Sequence, residues 1–465
     1  MSTKQRSAAP FFVCPLSEAD SARGIVLGAL KDNRNEALVL GQQARNKPAR
    51  SMAILGRGVS VNDLIRAQLE EAVRRNDSVV AIDPGGQLRS AYQELLENRG
   101  YTVKTLDARY LRYLVSDGWN ILSAITPDLD YYQDDAQAVT DIIMSSTGLY
   151  SPSYSSGTTY DKAAALLLKA IIMRIFIGPD IPTDKKHIIS AYDYVQNPLG
   201  TEVLDSLFDY DAKELNIKER ACFAHYRTFR AYPSTLRAAA VSRLRKCLEP
   251  FESMSLRALM SRNTVDLDAP AHGKCAYFCI INGENPQTYE TAFASMFINA
   301  IIAVLKNEAG GQPEGRLPVH THILVSNIDA LNLYHSMTDP DALVRVAKSN
   351  ISLVFAAESL ERLKYRYDKS AAQMLNFAST LVVCGSTTSR TSEQINEIII
   401  PKLLSTAEDL RRALRGEYRG VDLTKLNDYD RYICALGVSA EVSYSPITEI
   451  TDNSSVERGV EGNAC

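Results

Sequence analysis

Residues Ser51 to Asp63 constrain the fold more than any other stretch of this 465-residue chain. They read Ser-Met-Ala-Ile-Leu-Gly-Arg-Gly-Val-Ser-Val-Asn-Asp. An apolar strand runs to Leu55, and Gly56 follows. Four residues intervene before the triplet Val61-Asn62-Asp63, where a phosphate-binding loop would carry Gly-Lys-Ser/Thr. Leu64, Ile65, Leu69 and Val73 then recur at helical spacing and predict a helix from Leu64 to Arg75. A second strand, Ser78 to Ile82, is closed by Asp83-Pro84-Gly85-Gly86. Strand, loop, helix and strand in this order make one unit of a parallel α/β sheet.

The frame is that of a phosphate site, but the residues that touch phosphate are replaced. In such a loop, glycines let backbone N–H groups close around the anion. A lysine adds charge, and a hydroxyl holds Mg²⁺. Val61 is β-branched and disfavours the positive φ that glycine accepts. Asn62 is uncharged. Asp63 puts a carboxylate where the hydroxyl would meet the metal, close enough to a helix N-terminus to fill the place of a phosphate.

The net charge of −4, with 23% charged and 45% hydrophobic residues, is ordinary for a globular chain and argues against a general nucleic-acid surface. Eight cysteines lie scattered without C-x-x-C pairs, as expected of a reduced cytosolic protein. No segment qualifies as a membrane span. The nearest, Ala163 to Ile177, is interrupted by Lys169 and Arg174 and reads as a buried amphipathic helix.

Along the chain, residues 1–34 form a lead-in. Short edge strands are expected at Gly24 to Gly28 and Ala37 to Leu40. Residues 35–130 carry the strands Met52 to Leu55, Ser78 to Ile82 and Thr102 to Leu106, with a helix from Leu88 to Arg99. Residues 131–262 read as an inserted all-helical domain, with helices at Ala136 to Ser146, Tyr160 to Phe176, Lys186 to Val195, Ile217 to Arg230 and Pro233 to Met260. Residues 263–450 return to strand and helix, with strands at Ala276 to Ile281, Thr321 to Val325, Ser352 to Ala356 and Thr380 to Cys384. A long helix is expected at Thr288 to Asn307, and a last pair of short strands near Tyr432 to Leu436 and Glu441 to Tyr444. Residues 451–465 read as a disordered tail. The fold class is α/β, a doubly wound and mainly parallel sheet with a helical insertion.

The order of these pieces resembles the cytoplasmic ATPase part of the TraG/TraD family of type IV secretion coupling proteins, from about Asn35 to Ile447. Val79 to Leu88 is similar to the family's Val-x-Asp-Pro-Lys-Gly-Glu-Leu segment. Asn98 to Leu106 and Trp119 to Leu122 resemble the strand and Asn-Pro segment that follow it. Asp161 to Leu168 resembles the opening helix of the family's all-α domain, Leu317 to Val325 the run into the Walker B strand, and Leu423 to Asp430 the closing segment. The resemblance implies a RecA-like core of the P-loop NTPase type.

Measured against that family, the departures fall on the charged positions. The loop glycines Gly56 and Gly58 and the residue Ser60 precede a degenerate Val61-Asn62-Asp63. The Walker B Asp-Glu pair falls on Ser326 and Asn327. The arginine segment falls on Ala347-Lys348-Ser349, and the glutamine near Glu358. Gly85 and Gln87 replace the Lys and Glu of the Asp-Pro segment. Loss of several positioned charges implies a member without ATPase chemistry, because phosphoryl transfer depends on them. The family's N-terminal membrane helices have no counterpart in this sequence. The resemblance then implies an accessory binding or scaffold protein, engaging a relaxase–DNA cargo or an active coupling ATPase. It would lie in the cytoplasm, peripheral at a membrane secretion complex, as a homo- or hetero-oligomer. No cofactor or metal is expected on this reading. The other reading is a motor or nucleotide sensor that binds ATP and Mg²⁺ atypically.

Asp83, Asp329 and Glu358 are the acidic residues that could form a residual site. Asp329 would reach the Walker B place only if its strand slipped in register. His320 and His322 share one face of a strand and could ligate a metal, but no third ligand has motif spacing, so packing or surface histidines are the more economical reading. Cys275 and Cys279 read as buried thiols. The Arg-rich stretch 237–246 reads as a solvated helix face that could instead touch DNA phosphates.

Overall fold

The computed structural model describes residues 11–443 apart from 16, 19–23, 31–34, 42–48, 126–130, 149–157, 199–200, 210–215, 338, 386, 404–422, 427–429 and 436–437. Residues 1–10 of the lead-in and the tail 451–465, expected to be disordered, lie outside that set.

The described strands form one sheet. They are β1 (Phe11–Pro15), β2 (Gly24–Leu30), β3 (Glu36–Gly41), β4 (Met52–Leu55), β5 (Ser78–Pro84) and β6 (Thr102–Asp107). The later six are β7 (Cys275–Ile281), β8 (Thr321–Val325), β9 (Ile351–Ala357), β10 (Thr380–Cys384), β11 (Asp430–Ala435) and β12 (Val438–Ser443). Their spatial order is β1-β3-β2-β12-β11-β10-β4-β9-β8-β5-β7-β6. From β10 to β6 all neighbours run parallel. From β1 to β10 all run antiparallel.

Parallel strands covered by helices on both faces need apolar side chains at every position. Met-Ala-Ile-Leu in β4 and Ile-Ser-Leu-Val-Phe-Ala-Ala in β9 are buried throughout. Successive residues feed opposite cores, as the period of two requires. Ala53 and Leu55 join the large core that runs into the helical region, while Met52 and Ile54 join the smaller core under helix α1 (Val59–Arg75).

Helix α2 (Gln87–Asn98) joins β5 to β6. Between β6 and β7 the chain is helical: α3 (Tyr132–Ser146), α4 (Thr159–Ile177), α5 (Ile188–Gln196), α6 (Thr201–Leu207), α7 (Ile217–Arg230), α8 (Ser234–Leu248), α9 (Met254–Met260) and α10 (Ala269–His272). Helix α11 (Thr288–Gly311) follows β7. Helices α12 (Tyr334–Met337) and α13 (Pro340–Lys348) lead into β9. Helices α14 (Leu360–Tyr367) and α15 (Ser370–Phe377) lead into β10, and α16 (Ser389–Leu403) follows it.

Several sequence expectations change. The single helix expected over Pro233 to Met260 is two, because Pro250 cannot continue α8 and a 3₁₀ turn, Glu249–Glu252, intervenes. Strand β1 and helix α6 were not anticipated. The apolar helix that approaches membrane-span length is α11 rather than the segment ending at Ile177, and 72% of its apolar window is buried inside the protein. Helix α1 starts at Val59, five residues before the expected start at Leu64.

Candidate functional site: the cleft at the end of β4

The early start of α1 sets the geometry of the whole site. The link between β4 and α1 is Gly56-Arg57-Gly58. Both glycines hold positive φ, 140° and 82°. Gly56 donates its N–H to Ala357 O at 3.0 Å. A Cβ on it would stand 2.6 Å from Cys384 O and 2.8 Å from Cys384 Cβ, so only glycine passes between β9 and β10 there. Gly58 caps the helix, and its carbonyl accepts the N–H of Val61 at 3.2 Å and of Asn62 at 3.3 Å.

The triplet therefore lies inside the helix, which corrects three readings. Val61 is helical and buried, so its β-branch opposes no positive φ. Asn62 is exposed. Asp63 sits one turn in, beyond the first turn, and does not line the cleft. It lies 3.8 Å from Arg66. Burial raises its pKa above the usual carboxylate value, and Arg66 and Arg431 oppose that rise.

Arg431 is the residue that sequence reasoning missed. It is 2% exposed and projects from β11 behind the loop. Its Nε donates to Ser60 Oγ at 2.7 Å, Nη2 to Ser60 O at 2.9 Å and Nη1 to Leu27 O at 2.8 Å. Burial lowers its pKa. A charged residue opening an otherwise apolar strand (Asp-Arg-Tyr-Ile-Cys-Ala) was the available signal, since a buried charge needs partners.

In front of the loop is a cleft of about 710 Å³. It is lined by Gly56 to Ser60, Glu358 to Glu361 and Val383 to Gly385, with Thr387, Thr388 and Thr391 among its polar groups. Among the described residues, its lining contains no lysine and no aspartate. Its rim is an ion-pair chain. Arg57 meets Glu358 at 3.1 Å, Glu358 also pairs with Arg362, and Arg362 Nε stands 3.0 Å from Asp329 Oδ2. The Asp329 contact is an ion pair without hydrogen-bond alignment. Its side chain is 2% exposed, and burial raises its pKa against the pull of Arg362.

Asp329 and Glu358 are thus brought together, and Asp83 is not. Asp329 reaches Arg362 from the 3₁₀ turn Ile328–Ala330 beyond β8, whose pairing with β5 and β9 is regular, so the register slip does not occur. Ser326 and Asn327 form the turn after β8, with Asn327 at φ 55°. Asp83 lies three strands from β4 and accepts the N–H groups of Leu88 (3.1 Å) and Arg89 (2.8 Å) at the start of α2. Gly85, two residues on, holds φ 80°, a conformation that would strain a lysine placed there. Ala347-Lys348-Ser349 closes α13 at the opposite sheet edge, where β9 begins. In the Arg-rich stretch, Arg243 pairs with Asp161 at 2.7 Å and Arg245 donates to Val195 O and Asn197 O, so part of that face is internal rather than solvated. Cys275 and Cys279 are buried in β7.

The β4 strand sits between β9 and β10, with its loop leading into α1 at the strands' C-terminal ends, where ligands lie in open α/β sheets. With the helical region between β6 and β7, this defines a RecA-like P-loop NTPase fold carrying a helical domain. A sequence profile of the family Type IV secretory system Conjugative DNA transfer matches residues 70–399. The chain belongs to that family.

Solved structures agree on the fold. The bacterial conjugative coupling protein TrwB, in an unbound form, is 15% identical with a TM-score of 0.61, covering 91% of this chain and 88% of its own. TrwB in complex with a non-hydrolysable ATP analogue is 16% identical with a TM-score of 0.61, covering 94% and 95%. VirB4 of Thermoanaerobacter pseudethanolicus is 13% identical with a TM-score of 0.54, covering 92% and 97%. No curated protein matches the chain.

Proposed function

We propose that this chain is a member of the conjugative DNA-transfer family that binds partners and does not hydrolyse ATP. The observation that carries the reading is the set of charges at the cleft. Among the described residues the cleft lining has no lysine, its Arg57 is held by Glu358, and the Walker B place offers Ser326 and Asn327. A hydroxyl and an amide there supply neither a firm Mg²⁺ ligand nor a base. Loss of one positioned charge commonly costs about 10²–10³ in rate, and several are replaced together. The chain would act as a scaffold for relaxase–DNA cargo or beside an active coupling ATPase. It would do so from the cytoplasmic side of a secretion complex.

The second reading, a nucleotide sensor, is favoured by one feature. The cleft retains the volume, the α1 N-terminus and the three threonines that could receive an anion without Mg²⁺.

Thermal unfolding with and without excess Mg-ATP separates the two. A ligand present at 100 times its Kd stabilises the native state by about 2.7 kcal/mol, which such a melt resolves. No shift, together with no phosphate release, is the expected result. A saturable rise in Tm would instead establish the sensor, and turnover would overturn both readings.

A further inference from the structure

At the other edge of the sheet, where the parallel strands begin, two imidazoles and a carboxylate converge. His320 precedes β8 and His322 lies within it, and their rings stack with centroids 4.2 Å apart. Asp77 lies in the turn between α1 and β5, placed there by Asn76 in the left-handed conformation at φ 57°. Asp77 Oδ2 stands 3.0 Å from His322 Nε2 and 3.5 Å from His320 Nδ1. All three residues are buried. The third ligand missing from the sequence reading is therefore supplied by a residue 245 positions from His322.

We infer that Asp77, His320 and His322 form a binding site for a divalent transition metal of the Zn²⁺ class. Four ligands held about 2.0–2.1 Å from zinc stand about 3.3–3.4 Å from one another in a tetrahedron. The two distances to Asp77 Oδ2 bracket that edge. Two imidazoles and one carboxylate are a zinc donor set, with the fourth position left to solvent. A hollow of about 180 Å³ lined by Arg75, Asp77 and His320 opens beside the cluster as the route of entry.

A second observation points the same way. His322 is 5% exposed, and its Nδ1 is buried with no hydrogen-bond partner. It lines a cavity of about 50 Å³ together with Glu71, whose two carboxylate oxygens also lack hydrogen bonds although Arg74 lies 3.2 Å away. With Nε2–H donating to Asp77, Nδ1 is a bare acceptor sharing a cavity with a carboxylate. Metal on Nε2 reverses the tautomer, and Nδ1–H becomes a donor toward Glu71 through a cavity water, the outer support a metal-bound imidazole requires.

Arg75 is the competitor. Its Nε lies 2.8 Å from Asp77 Oδ2 and its Nη2 3.4 Å from His320 Nδ1, so the guanidinium holds the cation's place on the carboxylate. It must swing into the adjoining hollow for a metal to enter. Among the described residues, the other charged groups in the cavity wall are Arg50 and Glu71.

The test is Co²⁺ titration of the metal-stripped full chain, followed by visible absorption and by the shift in Tm. One equivalent with the strong absorption of a four-coordinate ion, displaced by Zn²⁺, is expected. His322→Gln and Asp77→Asn should weaken binding by more than about 1,000-fold, past the roughly 10–100-fold loss seen for outer-sphere partners alone. Arg75→Gln should bind more tightly than the native chain. Far-UV circular dichroism confirms that each variant is folded. Uptake by the native chain no greater than that of His322→Gln overturns the site. Unchanged affinity in Arg75→Gln overturns the competition.

Discussion

Gly56 shows how much a single backbone position carries. It holds φ 140° against the end of β10, and any Cβ there meets backbone, which cannot swing aside. Gly56→Ala should cost about 2–4 kcal/mol in a urea melt, combining strain and overpacking. Arg431 is the second such position. Arg431→Met keeps most of the volume and strips the guanidinium hydrogen bonds from Ser60 Oγ, Ser60 O and Leu27 O. A loss of about 3 kcal/mol is expected, with no change in any nucleotide response if the cleft is silent. Neither contact was legible in the sequence. The apolar alternation that reveals a strand says nothing about which residue 371 positions away its charge will meet.

At the scale of elements, the core strands were legible because each is a short apolar run between polar breaks. Met52–Leu55, Thr321–Val325 and Thr380–Cys384 stand where the sequence placed them. The start of α1 was not, because Val59-Ser60-Val61 suits strand and helix alike and the deciding signal is the cap at Gly58. That start predicts that Asn62→Lys with Asp63→Thr will not restore nucleotide binding, since residue 62 is exposed on a helix. A Tm shift with Mg-ATP in that double variant would refute it. The ion-pair rim gives a pH prediction. Burial raises the folded pKa of Asp329 above its unfolded value, so the folded state holds its proton more tightly and stability falls as pH rises through that interval. Arg362→Met removes the opposing charge and raises the folded value further. Its destabilisation, about 1 kcal/mol because Arg362 is half exposed, should be larger at neutral than at mildly acidic pH.

For the whole molecule, one core cluster runs from Val80 and Ile82 of the sheet through Trp119 to the helices between β6 and β7. Trp119 is the sole tryptophan and packs edge-on against Phe293 and Phe297 of α11. Its fluorescence reports the seam between sheet and helices, and its unfolding curve should coincide with far-UV circular dichroism. Separate transitions would show that the helical insertion melts as its own unit.

The sheet also joins strands from distant parts of the sequence. β12 pairs with β2 through Val442 and Leu30 and through Ser443 and Ala29. During synthesis the β2–β3 hairpin leaves the ribosome long before the strand it docks against. Until then it carries an unpaired edge open to other nascent chains. A gene rearranged so that β12 is encoded directly before β2, with the new ends opened in the helical insertion, would deliver those partners together.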